Sequence, residues 1–378
     1  MRGSVRKRGD RWYYAFEGAR INGKRKRYER VGGDTRAEAE KALRNALHEY
    51  EEAGTFKESS DLSVQDYFNY WFDDYVMRNL KYNTQQNYRA TVNHHILPYI
   101  GHYRLKALKP SVIQKAIDQN HEKGLAKQTL AIIRTVMSGA LKRAVYPYEF
   151  IKNDPTRYIQ MPKYDQRNKK TKDDLKVITL EDFEKLESVI DSSHPFYLPM
   201  MIAFYTGLRR GEVCGLTWDN IDLSEGTLTV DKSVITVKGG YEVGTPKTES
   251  SYRTIHIGQH LIRLLKEQRK RQLESKLFYG QHYKDSNFVC TKNNGKLVTP
   301  NSIKHYSEKL RDKTGVIFSF HSFRHTHATL LLENGAIDKA IQERLGHSRI
   351  STTIDTYSHL TNKTKKETVD IFEKLVSH

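Results

Sequence analysis

With 378 residues and 44.0 kDa, the chain exceeds the roughly 250–300 residues over which one core grows, which predicts two or three domains. A formal charge of +18 and a pI near 9.5, with lysine and arginine spread over every region, point to a polyanionic partner, nucleic acid before a membrane surface. No run approaches the ~18–20 apolar residues of a spanning helix and no signal-peptide apolar region opens the chain, so a soluble cytoplasmic protein is expected, nucleoid-associated when acting.

The first stretch, 1–56, has aromatic, partly alternating runs at 11–16 and 24–31, separated by Gly18 and by the hairpin signal Asn22-Gly23. They predict strands of a small sheet. Thr35 then caps a helix to about residue 52, with Ala39, Ala42, Leu43, Ala46 and Leu47 as its apolar stripe. The sheet's exposed face and edges are expected to carry Arg6, Lys7, Arg8, Arg11, Lys24, Arg25, Lys26 and Arg27 beside Trp12, Tyr13 and Tyr28. Cations interleaved with aromatics suit DNA phosphates and groove walls, whereas a merely solvated face would mix in more acid.

From 62 to 163 the pattern is helical. Ser63 and Asp66 form a capping-box signal before an aromatic helix, Thr84 starts another through Ile96, and two more follow at about 111–123 and 127–145. This predicts a four-helix domain. Lys81, Tyr82, Gln85, Gln86, Arg89, His94, His95, Lys127, Arg134, Lys142 and Arg143 offer it a DNA-facing surface, although each alone fits an ordinary solvated position. Residues 164–176 are charged and helix-poor, with Lys169 and Lys170 among their cations, and read as an interdomain linker able to lie along a backbone.

In the remaining stretch, 177–378, Thr179 and Asp182 open a helix, and an apolar helix over 195–205 delivers Thr206-Gly207-Leu208-Arg209-Arg210-Gly211-Glu212. Its glycines permit close backbone approach, and Glu212 can hold a guanidinium. Strand character follows at 227–230, 234–237 and 253–257, with Pro246 and Lys247 in a turn before the last of these. Helical patterns resume at 259–275, 300–313, 322–334, 337–345 and 350–357, before an amphipathic tail bearing Val369, Phe372, Leu375 and Val376. Cys214 and Cys290 read as buried free thiols.

His321 and Arg324 sit at i and i+3 and share one helix face, so both can address one phosphate, while His325 projects elsewhere. Taken singly, each residue has a plain reading: a cap or core histidine, Leu345-Gly346-His347 as a helix end, Tyr357 as one of 23 tyrosines. A metal set of His321, His325 and His327 is disfavoured by its spacing and lack of a supporting carboxylate. Taken together, Thr206-Gly207-Leu208-Arg209 with Glu212, Pro246-Lys247-Thr248 followed by Arg253-Thr254-Ile255, His321-Ser322-Phe323-Arg324-His325-Thr326, Leu345-Gly346-His347-Ser348 and Thr353 to Tyr357 resemble the tyrosine recombinase (phage integrase) family, of the lambda and conjugative-transposon type. Phe323 is the one mild departure, where leucine is commoner.

The resemblance implies a multidomain α+β architecture. An arm-site DNA-binding sheet-plus-helix domain (1–56) would precede a helical core-site-binding domain (62–163), a linker (164–176) and a mainly helical catalytic domain with a small antiparallel sheet (177–378). It implies that Arg209, Lys247, His321, Arg324 and His347 surround a scissile phosphodiester and that Tyr357 attacks it, with no metal or nucleotide cofactor. The chain indeed carries no Walker-type glycine loop. The implied partners are double-stranded DNA at core and arm sites and three further copies in a homotetramer, with an excision protein and a host DNA-bending protein as accessories. The tail would dock on a neighbouring subunit or pack on its own domain. A topoisomerase with the same nucleophile and a non-catalytic DNA-binding regulator are the rival readings. The first is disfavoured by the N-terminal module, the second by a competent residue at every catalytic position.

Overall fold

The computed structural model describes residues 3–21, 24–53, 62–164, 177–246 and 249–347, with the side chains of 18–26, 49 and 51–53 left aside. Contacts group the chain into two compact units, Met1–Tyr164 and Asp165–His378. Among the described residues, no helix is long and apolar enough to cross a membrane.

The first unit opens with an antiparallel sheet, β1 (Gly3–Arg8), β2 (Arg11–Ile21) and β3 (Lys24–Gly33), in that spatial order. Strand β1 was not expected, because Val5 is its only apolar residue other than glycine and gives no alternation to detect. Gly18 does not break β2. The strand runs through it, and the shift in register between Glu17 and Arg20 absorbs it as an irregularity. Ile21 lies opposite Lys24, and the hairpin signal Asn22-Gly23 falls outside the described residues.

Helix α1 (Arg36–Ala53) covers one face of this sheet, where Tyr14, Phe16, Leu43, Ala46 and Tyr50 form the core. Tyr28 belongs to that buried face and not to the open one: its ring stacks on Phe16 at 5.2 Å and meets Tyr50 at 5.9 Å. By the same alternation Lys7 and Trp12, which pair across β1 and β2, fall on the helix side with Val5 and Tyr14. The open face carries Arg6, Arg8, Arg11, Tyr13 and Arg27. Glu29 gathers Arg6, Arg8 (3.5 Å) and Arg27 (3.8 Å) around it, and Arg11 reaches Asp34 at 3.8 Å.

Four helical segments complete this unit. Ser63 Oγ accepts the Asp66 N–H at 3.0 Å and starts α2 (Val64–Trp71), which passes through a π-helical turn (Phe72–Val76) into α3 (Met77–Asn79). The second segment is α4 (Tyr82–Thr91), a second π-helical turn (Val92–Ile96) and α5 (Leu97–Ile100). Then come α6 (Pro110–Glu122) and α7 (Lys127–Val145). Their core includes Tyr67, Phe68, Trp71, Ile96, Ile113, Leu130 and Leu141. Gln85, expected on the DNA-facing surface, is buried and donates to the Met77 and Leu80 carbonyls, closing the preceding helix. Arg89 and Arg143 lie over the rings of Phe72 and Tyr75, at 4.3 and 3.4 Å from their centroids.

In the second unit a reciprocal capping box between Thr179 and Asp182 opens α8 (Leu180–Ser188), and the buried α9 (Tyr197–Thr206) leads through Gly207 to α10 (Arg210–Gly215). Strands β4 (Ile221–Asp222), β5 (Thr227–Val230) and β8 (Arg253–His256) make one antiparallel sheet. The hairpin of β6 (Ser233–Val237) and β7 (Gly240–Gly244) makes another, turning at Gly239, whose φ is 87°. The exposed β7 was also missed, its short side-chain pattern being broken by glycines. Helices α11 (Gln259–Tyr279), α12 (Pro300–Thr314), α13 (Phe320–Glu333) and α14 (Asp338–Leu345) complete the described fold. Cys214 and Cys290 are buried free thiols, as expected.

Candidate active site

Gly207 ends α9 in the left-handed region (φ 69°), and a Cβ there would come within 2.6 Å of Leu345 Cδ2. The reversal brings Arg209 to the N-cap of α10, one turn before Glu212. Glu212 Oε2 accepts the Arg209 backbone N–H at 3.0 Å and Oε1 accepts its Nη1 at 2.7 Å. Glu212 is 3% exposed, and its second partner is Arg253, whose Nη2 donates to Oε2 at 2.9 Å. One carboxylate thus bridges two guanidiniums from α10 and β8, confirming the role read for Glu212.

Arg324 lies deeper, 2% exposed, four residues beyond the start of α13. Its Nη1 donates to the Gly207 carbonyl at 2.8 Å and its Nη2 to the Leu345 carbonyl at 2.7 Å. Arg209 Nη2 donates to the Gly346 carbonyl at 3.0 Å, and Arg253 Nε to the Arg344 carbonyl at 2.7 Å. Three consecutive carbonyls, 344 to 346, therefore each hold one arginine. These are acceptors that the end of α14 leaves without an intrahelical partner, at the negative end of its dipole. Gly346 turns the chain out of α14 at φ 66°, and His347 follows, its N–H bonded to the Gln342 carbonyl at 3.1 Å.

The site carries a positive excess, with Arg209, Arg253, Arg324 and Arg344 set against Glu212. Burial alone would raise the Glu212 carboxyl, but Arg253 by charge and hydrogen bond, and then Arg209, hold it below its ordinary value. His347 is lowered to about 4 by burial and by the charges of Arg324, Arg209, His321 and Arg253. His321 is also lowered to about 4, by the crowding of protein around it and then by His325, Arg324 and Arg209. His321 is exposed at its surface though crowded by protein; solvent there limits the desolvation and screens the neighbouring charges alike, and the direction of the shift stays downward. Both imidazoles are neutral at pH 7 and able to take a proton.

Of the expected catalytic residues, Arg209, His321, Arg324 and His347 converge here. Lys247 and Tyr357 lie outside the described residues, as do Thr248, Ser348, Thr353, the 350–357 helix and the tail. Contrary to the sequence reading, His325 does not project away from His321: the rings sit one helical turn apart with centroids 4.5 Å from each other. Among the candidate DNA contacts, Arg6, Arg8, Arg11 and Arg27 share the open sheet face, and Lys7 and Trp12 fall on the helix side. Lys24, Arg25 and Lys26 are described by backbone alone, and Lys169 and Lys170 fall outside the described residues. Arg253, Arg344 and His327 were not singled out for roles at this site. Arg253 stood in a motif, but nothing in its spacing announces a buried pairing with Glu212.

Residues 176–364 match the model of the phage integrase family. The chain belongs to this family. Two further models of integrase modules match, an N-terminal SAM-like domain over 63–120 and an arm DNA-binding domain over 4–50. Among phage integrase relatives, a tyrosine recombinase XerC-like protein of Caldanaerobacter subterraneus subsp. tengcongensis is 30% identical, covering 91% of this chain and 90% of its own. The ICEBs1 integrase of Bacillus subtilis is 29% identical over 78% of this chain and 79% of its own. The fold matches that of the Tn1549 transposon integrase solved with transposon right end DNA, with a TM-score of 0.68, 21% identity and coverage of 84% and 100%. It also matches a lambda integrase tetramer bound to a Holliday junction, with a TM-score of 0.56, 19% identity and coverage of 91% and 92%. As a phage integrase family member, the protein is a tyrosine-type site-specific recombinase, of the kind that serves mobile elements.

Proposed function

We propose that this recombinase integrates and excises a mobile genetic element by cutting and rejoining DNA at a site formed by Arg209, Lys247, His321, Arg324 and His347, with Tyr357 as nucleophile. The observation that carries the reading is the convergence of Arg209 and Arg324 on the carbonyls of Gly346 and Leu345, just ahead of His347, which itself stands ten positions before Tyr357. Forked donors there suit the two non-bridging oxygens of a phosphodiester.

A phenol with an ordinary pKa near 10 is about one part in a thousand ionised at pH 7, a deficit of roughly 4 kcal/mol. The excess of arginines offsets it by stabilising the negative charge that builds on a pentacoordinate phosphorus, where one well-placed donor is worth ~10²–10³ in rate. Neutral His321 takes the phenol proton or bonds a phosphate oxygen, His347 adds a donor, and Lys247 protonates the departing 5′ oxygen. The Tyr357 oxygen bonds to phosphorus as the phosphorus–O5′ bond breaks, leaving a 3′-phosphotyrosyl ester. A 5′-hydroxyl of the partner strand reverses the step and restores the phenol.

In this reading 1–56 binds arm sites, 62–163 binds core sites, 164–176 links them to the catalytic domain at 177–378, and four copies assemble on two duplexes. Two structures of similar fold, a transposon integrase with transposon-end DNA and a lambda integrase tetramer on a Holliday junction, support DNA and oligomerisation as the setting. An excision protein and a host DNA-bending protein would set direction, and the work would be done in the cytoplasm on the nucleoid.

A core-site duplex nicked near its cleavage point tests the nucleophile. The wild-type chain should become covalently attached and Tyr357→Phe should not; an adduct with the phenylalanine variant would overturn the assignment.

A further inference from the structure

The carbonyl of Arg344 holds Arg253, and the next two carbonyls hold Arg324 and Arg209. The Arg344 side chain turns the other way. Its Nη1 donates to the His256 carbonyl at 3.0 Å, its Nη2 to the Tyr205 carbonyl at 3.2 Å, and its Nε to His327 Nε2 at 3.0 Å. One guanidinium thereby ties the end of α14 to β8, to the end of α9 and to α13.

The contact with His327 fixes a tautomer. Nε2 accepts an N–H, so it bears no proton, and the ring proton sits on Nδ1, which donates to the Phe204 carbonyl at 2.9 Å. The pair is a hydrogen bond between a cation and a neutral imidazole. Burial and then the Arg344 charge lower the His327 pKa to about 4, which agrees with that tautomer. Among the described residues no carboxylate pairs with the half-buried Arg344. A charge held in this way costs desolvation that no counter-ion repays, so its side chain is a poor choice for stability alone. What it does secure is position, because each of its partners belongs to an element that frames the site.

We propose that Arg344, braced by His327, is a positioning residue for strand cleavage. It sets where α14 ends, and so where the 345 and 346 carbonyls hold Arg324 and Arg209 against the phosphate. This rests on the reading of those two arginines as phosphate ligands. Arg344 need not touch DNA for this role, and the displacement it prevents is small: about 1 Å in a reacting group is enough to cost roughly 100-fold in rate.

Single-turnover cleavage of the nicked duplex, at protein concentrations that saturate it, tests the role in the full chain. Arg344→Met should cleave roughly 100-fold more slowly, with affinity for the duplex changed by less than about threefold. Combined with Arg209→Lys, it should slow cleavage little beyond Arg209→Lys alone, since both disturb one clamp. His327→Gln, whose amide oxygen can accept from Arg344, should cleave faster than His327→Leu, and this pair carries the test if Arg344→Met does not fold. Wild-type cleavage by Arg344→Met, a loss of affinity with the saturated rate intact, a fully multiplicative double variant, or equal rates for the two His327 variants would each overturn the proposal. Wild-type cleavage by Arg209→Lys would instead fault the phosphate-ligand reading beneath it, and the role of Arg344 with it.

Discussion

Arg209 and Gly346 are joined by a 3.0 Å hydrogen bond from Nη2 to a carbonyl oxygen, across 137 positions of sequence. The arginine comes from the start of one helix and the carbonyl from the end of another, and the residue that supplies the carbonyl must turn left-handed to do so. The same helix end receives Arg324 and Arg253. Positions of the three guanidiniums are therefore correlated, and a change at any one of their supports should be felt at the others.

Glu212→Gln should show this most directly. It removes the only carboxylate bonded to Arg209 and Arg253 among the described residues, and leaves buried Arg253 without a counter-charge. Breaking a buried pair in this way costs about 3–5 kcal/mol. A thermal midpoint lowered by several degrees, together with slower cleavage at saturating DNA, is the expected outcome; an unchanged midpoint would show that the pair contributes little.

Gly346→Ala should act on geometry without removing a polar group. At φ 66° an L side chain is strained, and its Cβ would lie 2.9 Å from the Ser250 carbonyl and 3.1 Å from Arg253 Nη1. A destabilisation of about 1–2 kcal/mol is expected from the backbone conformation alone, with a further loss in cleavage rate. Denaturant titration and single-turnover kinetics on the same preparation would separate the two losses.

Much of this architecture is legible because its signals are local. The Thr179–Asp182 capping box, the apolar stripe of α1 and the helical period of α6 and α7 each lie within a few turns of chain. The catalytic candidates were legible as a family motif. The acceptors that hold them were not, because they are backbone carbonyls, which every residue carries and no letter marks. Arg344 looked like any other cation, and Arg253 like a motif residue with no visible partner, because the carbonyls, carboxylate and histidine they bond lie far off in sequence. Tyr28 was assigned to the wrong face because its partner across the sheet, Phe16 of β2, and the helix residue Tyr50 that it meets are set by pairing and packing that its own run of cations does not reveal.

Acid should destabilise the second unit in two steps of the same sign. His327 has an ordinary value of 6.5 and sits at about 4 when folded, so between these values the unfolded chain binds the extra proton. Stability is then lost as pH falls from about 6.5 toward 4, by on the order of 3 kcal/mol for this one group. Glu212, lowered from 4.5, contributes stability that is present above that value and lost as pH falls further through its folded pKa. Thermal midpoints should decline from pH 7 to pH 5, and His327→Gln should make that part of the curve less steep, leaving the share of His321 and His347, which are lowered in the same direction. A flat wild-type profile would contradict the buried neutral imidazole.

A chain beginning near residue 57 should lose binding to distal arm sites and still cleave core DNA. The open face with Arg6, Arg8, Arg11 and Arg27 is removed, while the second unit is left whole. Footprinting of the truncated and full chains on a duplex carrying both kinds of site distinguishes them; equal arm protection by both would refute the assignment of 1–56.

The late position of the three accepting carbonyls also has a consequence for synthesis. Translation at ~5–20 residues per second puts roughly 7–30 s between the emergence of Arg209 and that of Gly346, which lie 137 positions apart. Through that interval the early arginine has no helix end to grasp, and Arg253 and then Arg324 join it in waiting as each emerges. A ribosome-bound or prematurely terminated chain can thus present a finished N-terminal unit while its cutting centre is still unassembled. On the proposed reading of the site, a chain that ends before Gly346 lacks the carbonyls that hold Arg209 and Arg324 and should not cut DNA.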